Sequence, residues 1–174
     1  MRALRWLTRR EYSALELRAR LEAEEYPQAE IQEALDWLEA GNWQSDDRFA
    51  SSLARRRSGA LGSGAFGSRL IKAELQRHHI SNTTISDALE SLEHSDADRA
   101  FFWLEKRSRG SALTFENRTR WYRGLVARGF RPDDISAALR RLSDERNQPW
   151  GRAANAGNED DDPAYHSSDP DDSC

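Results

Sequence analysis

The 174-residue chain has one cysteine, one methionine, two lysines and no long apolar run, so it lacks the side chains that many chemistries require. Cys174, the last residue, excludes an internal disulfide framework and leaves no thiolate cluster for a metal. It also has no adjacent His or cation to activate it as a nucleophile. No stretch reaches 18 apolar residues, so no membrane-spanning helix is expected. The opening MRALRWLTRREY lacks the apolar core and small-residue cleavage site of a secretory leader, and a cytoplasmic protein is the expectation.

Further scarcities narrow the chemistry. Gly59, Gly62, Gly64 and Gly67 are not followed by Gly-Lys-Ser/Thr and no strand pattern precedes them, which excludes a phosphate loop. His78 and His79 lie at a predicted helix end with no Cys, Asp or third His at ligand spacing, and His94 and His166 are isolated. The simpler role for the pair is interaction with a helix end. The carboxylate pairs Asp46/Asp47 and Asp133/Asp134 fall at predicted helix starts, where they complement the helix dipole. No catalytic residue, metal site or cofactor is therefore assigned, and the chain reads as a non-enzyme.

What is present is a spacing written three times. Leu21, Tyr26, Ile31, Leu35 and Leu38 recur as Leu75, Ile80, Ile85, Leu89 and Leu92, and again as Leu125, Phe130, Ile135, Leu139 and Leu142. A shift of 50 residues also lays Asp46 on Asp96, Ala50 on Ala100, Leu53 on Trp103 and Arg57 on Arg107. Helical periodicity dominates and no strand-like alternation is sustained. Ser13 followed by Glu16 has the form of a capping box, Pro27 and Pro132 suit helix starts, and Gly129 suits a helix stop. Each unit then comprises a leading helix and a two-helix hairpin, with MRALRWLTRR as the compressed first leader. Trp6, Trp37, Trp103 and Trp121 fall within the helical patterns and are expected in the cores.

The expected fold is an all-α, elongated tandem array of three three-helix repeats, over residues 1–42, 43–95 and 96–146. Units of about 45 residues are marginal alone, so neighbours should share buried surface. The linker GALGSGAFGS (59–68) is expected to hinge within the second unit. Residues 147–174 form a disordered acidic tail in this reading, since NEDDDPAYHSSDPDDSC offers too little apolar surface to offset ordering.

Charge is unevenly placed. Residues 153–174 hold seven acidic residues and no Lys or Arg, leaving 26 basic against 23 acidic residues in 1–152. Apart from Lys72 and Lys106 the basic residues are all arginine, whose planar fork suits carboxylates and phosphates. Arg55, Arg56 and Arg57 end one leading helix, and Lys106, Arg107 and Arg109 end the next. Arg69, Lys72 and Arg77 follow on one helix, and Arg118, Arg120, Arg123 and Arg128 on its counterpart. A solvated helix face, with cations favourable at helix C-termini, is the plain interpretation. The alternative is a repeated stripe facing phosphates or an acidic protein.

Four segments resemble the RecX family of recombinase regulators. GNWQSDDRFASSLARRR resembles its Gly-x-apolar-Asn/Asp-Asp-x-x-Phe-Ala pattern, and FGSRLIKAEL its Gly-Pro-x-x-Ile-x-x-Glu-Leu, at Gly67, Ile71, Glu74 and Leu75. ALRWLTRREYSALELRARL resembles its opening, and LVARGFRPDDISAAL its closing Arg-Gly-Phe…Asp-x-Ile-x-x-Ala-Leu. The resemblance covers residues 3–143 in order. Ser68 stands in place of Pro, Ser45 in place of Asn or Asp, and His78-His79 in place of a basic residue and Gly. These exchanges are expected to loosen the middle unit while sparing its core. The acidic tail lies outside the resemblance.

The resemblance implies a helical repeat protein that binds the RecA nucleoprotein filament and inhibits its ATPase, strand-exchange and coprotease activities. The expected contact surface is Arg55, Arg56, Arg57, Arg69, Lys72, Arg77, Arg107, Arg120 and Arg123, carried by a monomer without a membrane partner. A direct DNA-binding protein with helix-turn-helix-like repeats is the alternative, weakened by a body charge of only +3. A helical scaffold for an unrelated acidic protein is the third reading.

Overall fold

The computed structural model describes residues 2–59, 65–109 and 111–147. These residues form nine α-helices and no strand, so the chain is all-α as its periodicity requires. The helices are α1 (Arg2–Leu7), α2 (Ala14–Ala23), α3 (Gln28–Ala40), α4 (Asp46–Ser58), α5 (Ser68–Arg77), α6 (Asn82–Glu90), α7 (Asp96–Arg107), α8 (Phe115–Ala127) and α9 (Pro132–Asn147). The acidic tail, Trp150 and linker residues 60–64 lie outside the described residues, and with them the expected disorder and hinge.

Short hydroxyl residues start five of the helices. Ser13, Ser45, Ser81, Ser95 and Thr114 each accept a hydrogen bond from the amide three residues on. Each such cap stabilises its helix by about 1 kcal/mol relative to alanine. Ser45 thus does the capping expected of the Asn or Asp it replaces. The Ser13–Glu16 capping box forms only half-way. Ser13 Oγ accepts from Glu16 N at 3.1 Å, but the Glu16 carboxylate turns outward to Arg10, at 3.0 and 3.2 Å.

The repeated Leu-to-aromatic spacing has its cause at the ends of α2, α5 and α8. Tyr26 N donates to Leu21 O, Ile80 N to Leu75 O, and Phe130 N to Leu125 O. One residue earlier, Glu25 N reaches Glu22 O, His79 N reaches Gln76 O, and Gly129 N reaches Val126 O. This pair of bonds is the Schellman motif, which requires a left-handed residue between the helix cap and the apolar residue. Glu25, His79 and Gly129 hold that conformation, with φ of 64°, 60° and 85°. The apolar partner therefore follows five positions after the leucine, because the motif spans six residues of backbone.

Each consecutive trio of helices encloses its own core. Leu17, Leu21, Ile31 and Leu38 centre the first. Phe49, Leu53, Ile71, Leu75, Ile80 and Ile85 form the second. Leu104, Trp121, Leu125, Phe130, Ile135 and Leu142 form the third. Burying each of these large side chains contributes about 1.5–3 kcal/mol.

The first unit departs from the pattern. Its leading helix, expected over ten residues, is only the six-residue α1, ending at Leu7. Tyr26 is 40% exposed whereas its counterparts Ile80 and Phe130 are 6% and 0%. Trp37, expected in the core, is 44% exposed. Both line an apolar cavity of about 380 Å³ with Ala3, Leu4 and Ile31. Trp121 is buried and Trp6 and Trp103 are half-buried against their cores.

The units are joined by one recurring device. Asp46, the first residue of α4, accepts from Ala14 N at 3.0 Å, capping α2 of the unit before. Asp96, the first residue of α7, accepts from Ser68 N at 3.1 Å, capping α5 of the unit before. Ser68 Oγ adds a bond to Asp96 and accepts another from Arg99, each at 3.0 Å. The exchange of Pro for Ser, expected to loosen the middle unit, instead ties it to the third. A proline has neither the N–H nor the hydroxyl that Asp96 engages here.

Candidate partner-binding surface

The nine basic residues expected to meet a partner separate into local groups. Arg55, Arg56 and Arg57 occupy the last turn of α4, where their charge complements the helix C-terminus. Arg55 and Arg56 are exposed, but Arg57 turns inward. Its Nη2 donates to Glu74 Oε1 at 2.6 Å, and its guanidinium lies 5.5 Å from the centre of the Phe66 ring. The hydrogen bond to Glu74 holds Arg57 charged to a higher pH than an ordinary arginine.

On α5, Arg69 and Lys72 are exposed and one helical turn apart. Arg77 is exposed at the end of the same helix, its Nε donating to Ala73 O at 3.3 Å. Arg57 and Arg77 are brought together across a cavity of about 390 Å³, lined also by Phe66, Leu70, Glu74 and His78. Arg107 stands exposed in the last turn of α7. Arg120 and Arg123 are exposed on α8, and Arg120 donates to Asn117 Oδ1 at 3.0 Å. Within the α4–α5 group, Arg57 and Arg77 border a concave site.

Two participants were named in the sequence but not among the nine expected contact residues. Arg128, at the end of α8, places its guanidinium 5.4 Å from the Phe66 ring and 5.3 Å from that of Trp103. Phe66 therefore contacts Arg57 and Arg128, and through them links the second and third units. His78 is the other. It was expected to serve its own helix end, yet it bridges units, with Nδ1 3.3 Å from Ser13 Oγ and its ring packed edge-on to Phe49 at 4.9 Å. The available signal was alignment: His78 and Arg128 occupy the same place before the left-handed residue of their hairpins.

Among the described residues no group of His, Cys, Asp and Glu is disposed to hold a metal ion. No described helix is long and apolar enough to cross a membrane. The concave α4–α5 site combines guanidinium donors with an apolar wall, an arrangement suited to binding an acidic group rather than to bond-making chemistry.

Comparison with known proteins gives this surface its setting. Residues 1–38 match the family description "RecX, first three-helix domain". The regulatory protein RecX of Ralstonia pickettii (strain 12J) is 36% identical over 138 residues, covering 79% of this chain and 84% of the relative. That of Chromobacterium violaceum is 38% identical over 138 residues, covering 79% and 86%. The chain belongs to the RecX family. The fold agrees as well: the crystal structure of RecX from Lactobacillus salivarius superposes with a TM-score of 0.65 at 22% identity, covering 81% of this chain and 92% of that one. This RecX-family chain is accordingly a regulatory protein.

Proposed function

We propose that the protein modulates the RecA recombinase by docking on the RecA–DNA filament, and that it does so as a non-enzymatic, cytoplasmic monomer. Membership of a family of regulatory proteins carries the reading. It is supported by exposed arginine and lysine on α4, α5, α7 and α8, repeated from unit to unit. In this reading residues 1–42, 43–95 and 96–146 are the successive contact modules. A chain of modules meeting several filament subunits gains affinity by multivalency, because each contact after the first is intramolecular. The outcome is inhibition, since a ligand spanning subunits resists the rearrangements that accompany turnover and strand exchange.

The test is the single-stranded-DNA-dependent ATPase of RecA at physiological salt, with this protein well below one molecule per RecA. A marked fall in rate is expected. Reversing Arg55, Lys72 and Arg123 together to Glu should weaken the effect about tenfold or more, from the ~1.4 kcal/mol that a tenfold loss represents, with helicity and melting unchanged. Full activity of RecA at every ratio overturns the reading. Direct DNA binding, the second reading, rests on the exposed Arg120 and Arg123 of α8. It predicts RecA-independent affinity that falls steeply with salt.

A further inference from the structure

We infer that the cavity between α4 and α5 is a docking site for the chain's own acidic C-terminal segment, residues 159–172, which competes with any external acidic partner. The site and the segment match in chemistry. Arg57 and Arg77 bring two guanidiniums to one cavity, and Phe66 and Leu70 supply an apolar wall. Glu74 engages Nη2 of Arg57, and the Arg77 side chain stands exposed beside that pair at the same cavity. The segment carries Glu159, Asp160, Asp161, Asp162, Asp169, Asp171 and Asp172 around one aromatic residue, Tyr165. Carboxylates for the arginines and a ring for the apolar wall are what such a cavity accepts.

Reach favours this occupant over a partner arriving from solution. Near the end of α9, Ser143 Oγ accepts from Arg118 of α8, at 3.4 Å. From Arg118 to Arg128, which lies against Phe66 at the cavity wall, is ten helical residues or roughly 15 Å. The fifteen residues from Asn147 to Asp162 span up to about 50 Å when extended. The tether therefore does not limit docking, and it holds the segment at an effective concentration on the order of millimolar. Glu74 within the site sets the balance: it offsets one guanidinium, so the acidic segment is held weakly enough to yield to a partner. The inference goes beyond the RecA reading and depends only on the charge and shape of this face.

Cys174 makes the test direct, because it is the one cysteine and lies two residues beyond the acidic segment. A nitroxide attached there in the full-length protein should selectively broaden the amide resonances of residues 66–78 at low ionic strength. The broadening should vanish at ~1 M salt, where the screening length falls to about 3 Å. It should also vanish when the seven acidic residues are replaced by Asn and Gln, and weaken in R77S. Arg77 lies outside the second core, and the remaining spectrum verifies that each variant stays folded. Broadening that is absent at low salt, survives neutralisation, or falls on the first unit instead overturns the inference. Neither RecA nor DNA enters the measurement, so its result is separate from that of the ATPase test.

Discussion

Asp46 and Asp96 stand 50 residues apart and perform the same task, each capping the middle helix of the preceding unit, but in different surroundings. Around Asp46 the junction is a net of polar contacts in which Ser13 and Gln44 are buried. Gln44 donates to Asp46 Oδ1 at 2.7 Å, Arg48 meets Glu11 at 3.0 Å, and Ser13 meets His78. Around Asp96 it is closed. Arg99, 3% exposed, pairs with Asp96, and the Gly67 amide donates to Arg128 O at 2.9 Å. Gly67 and Gly129 meet so closely that a Cβ on Gly67 would lie 2.4 Å from Gly129 O. One plan is thus met once by hydrogen bonds from neutral groups and once by a buried charge and interlocked backbones. The second junction should be the rigid one.

Asp96→Ala and Asp46→Ala give the sharpest contrast. Removing Asp96 strands the buried Arg99 guanidinium and should cost about 3–5 kcal/mol. Removing Asp46, whose partners Ala14 N and Gln44 are neutral, should cost only about 1–3 kcal/mol. Urea denaturation of both variants reads the difference, and equal losses would dissolve the distinction between the junctions. Next in size is Gly67→Ala. Its methyl group meets backbone rather than a yielding side chain, and a destabilisation of roughly 1–3 kcal/mol is expected. Retained stability in that variant would mean that the two backbones part easily.

The smallest effect has the opposite sign. His79 is exposed and held at φ 60°, where its hairpin counterpart Gly129 carries no Cβ penalty. His79→Gly should therefore stabilise the second unit by about 1 kcal/mol and raise its melting temperature. A fall in melting temperature would show that the imidazole makes a contact worth more than the strain.

The repeated spacing made the helices and the core leucines legible in the sequence, because Schellman closure and helical periodicity are local. Leu21, Leu75 and Leu125 could be placed without any tertiary information. Tyr26 could not: it holds the position of Ile80 and Phe130 yet is 40% exposed where they are 6% and 0%. For Trp37 the stripe of Ile31, Leu35 and Leu38 did hold a signal, since position 37 falls beside it rather than on it. The shift of 50 paired Asp46 with Asp96, yet their shared role became visible only when the preceding helix ends were seen against them. The candidate surface was legible as composition, not as geometry. Arg57 looked equivalent to Arg55 and Arg56 until Glu74, seventeen residues on, claimed it.

The capping aspartates also give the array a direction. Ala14 depends on a side chain 32 residues later in the chain, and Ser68 on one 28 residues later. As the polypeptide leaves the ribosome, α2 and α5 are each complete before the residue that closes their first turn has been made. The first two units must then wait, α2 and α5 each lacking one capping bond, until the successor begins to fold. Consolidation runs backward along the chain while synthesis runs forward. Amide exchange at Ala14 and Ser68, followed in nascent chains of increasing length, would register two discrete steps of protection, timed to the emergence of Asp46 and Asp96.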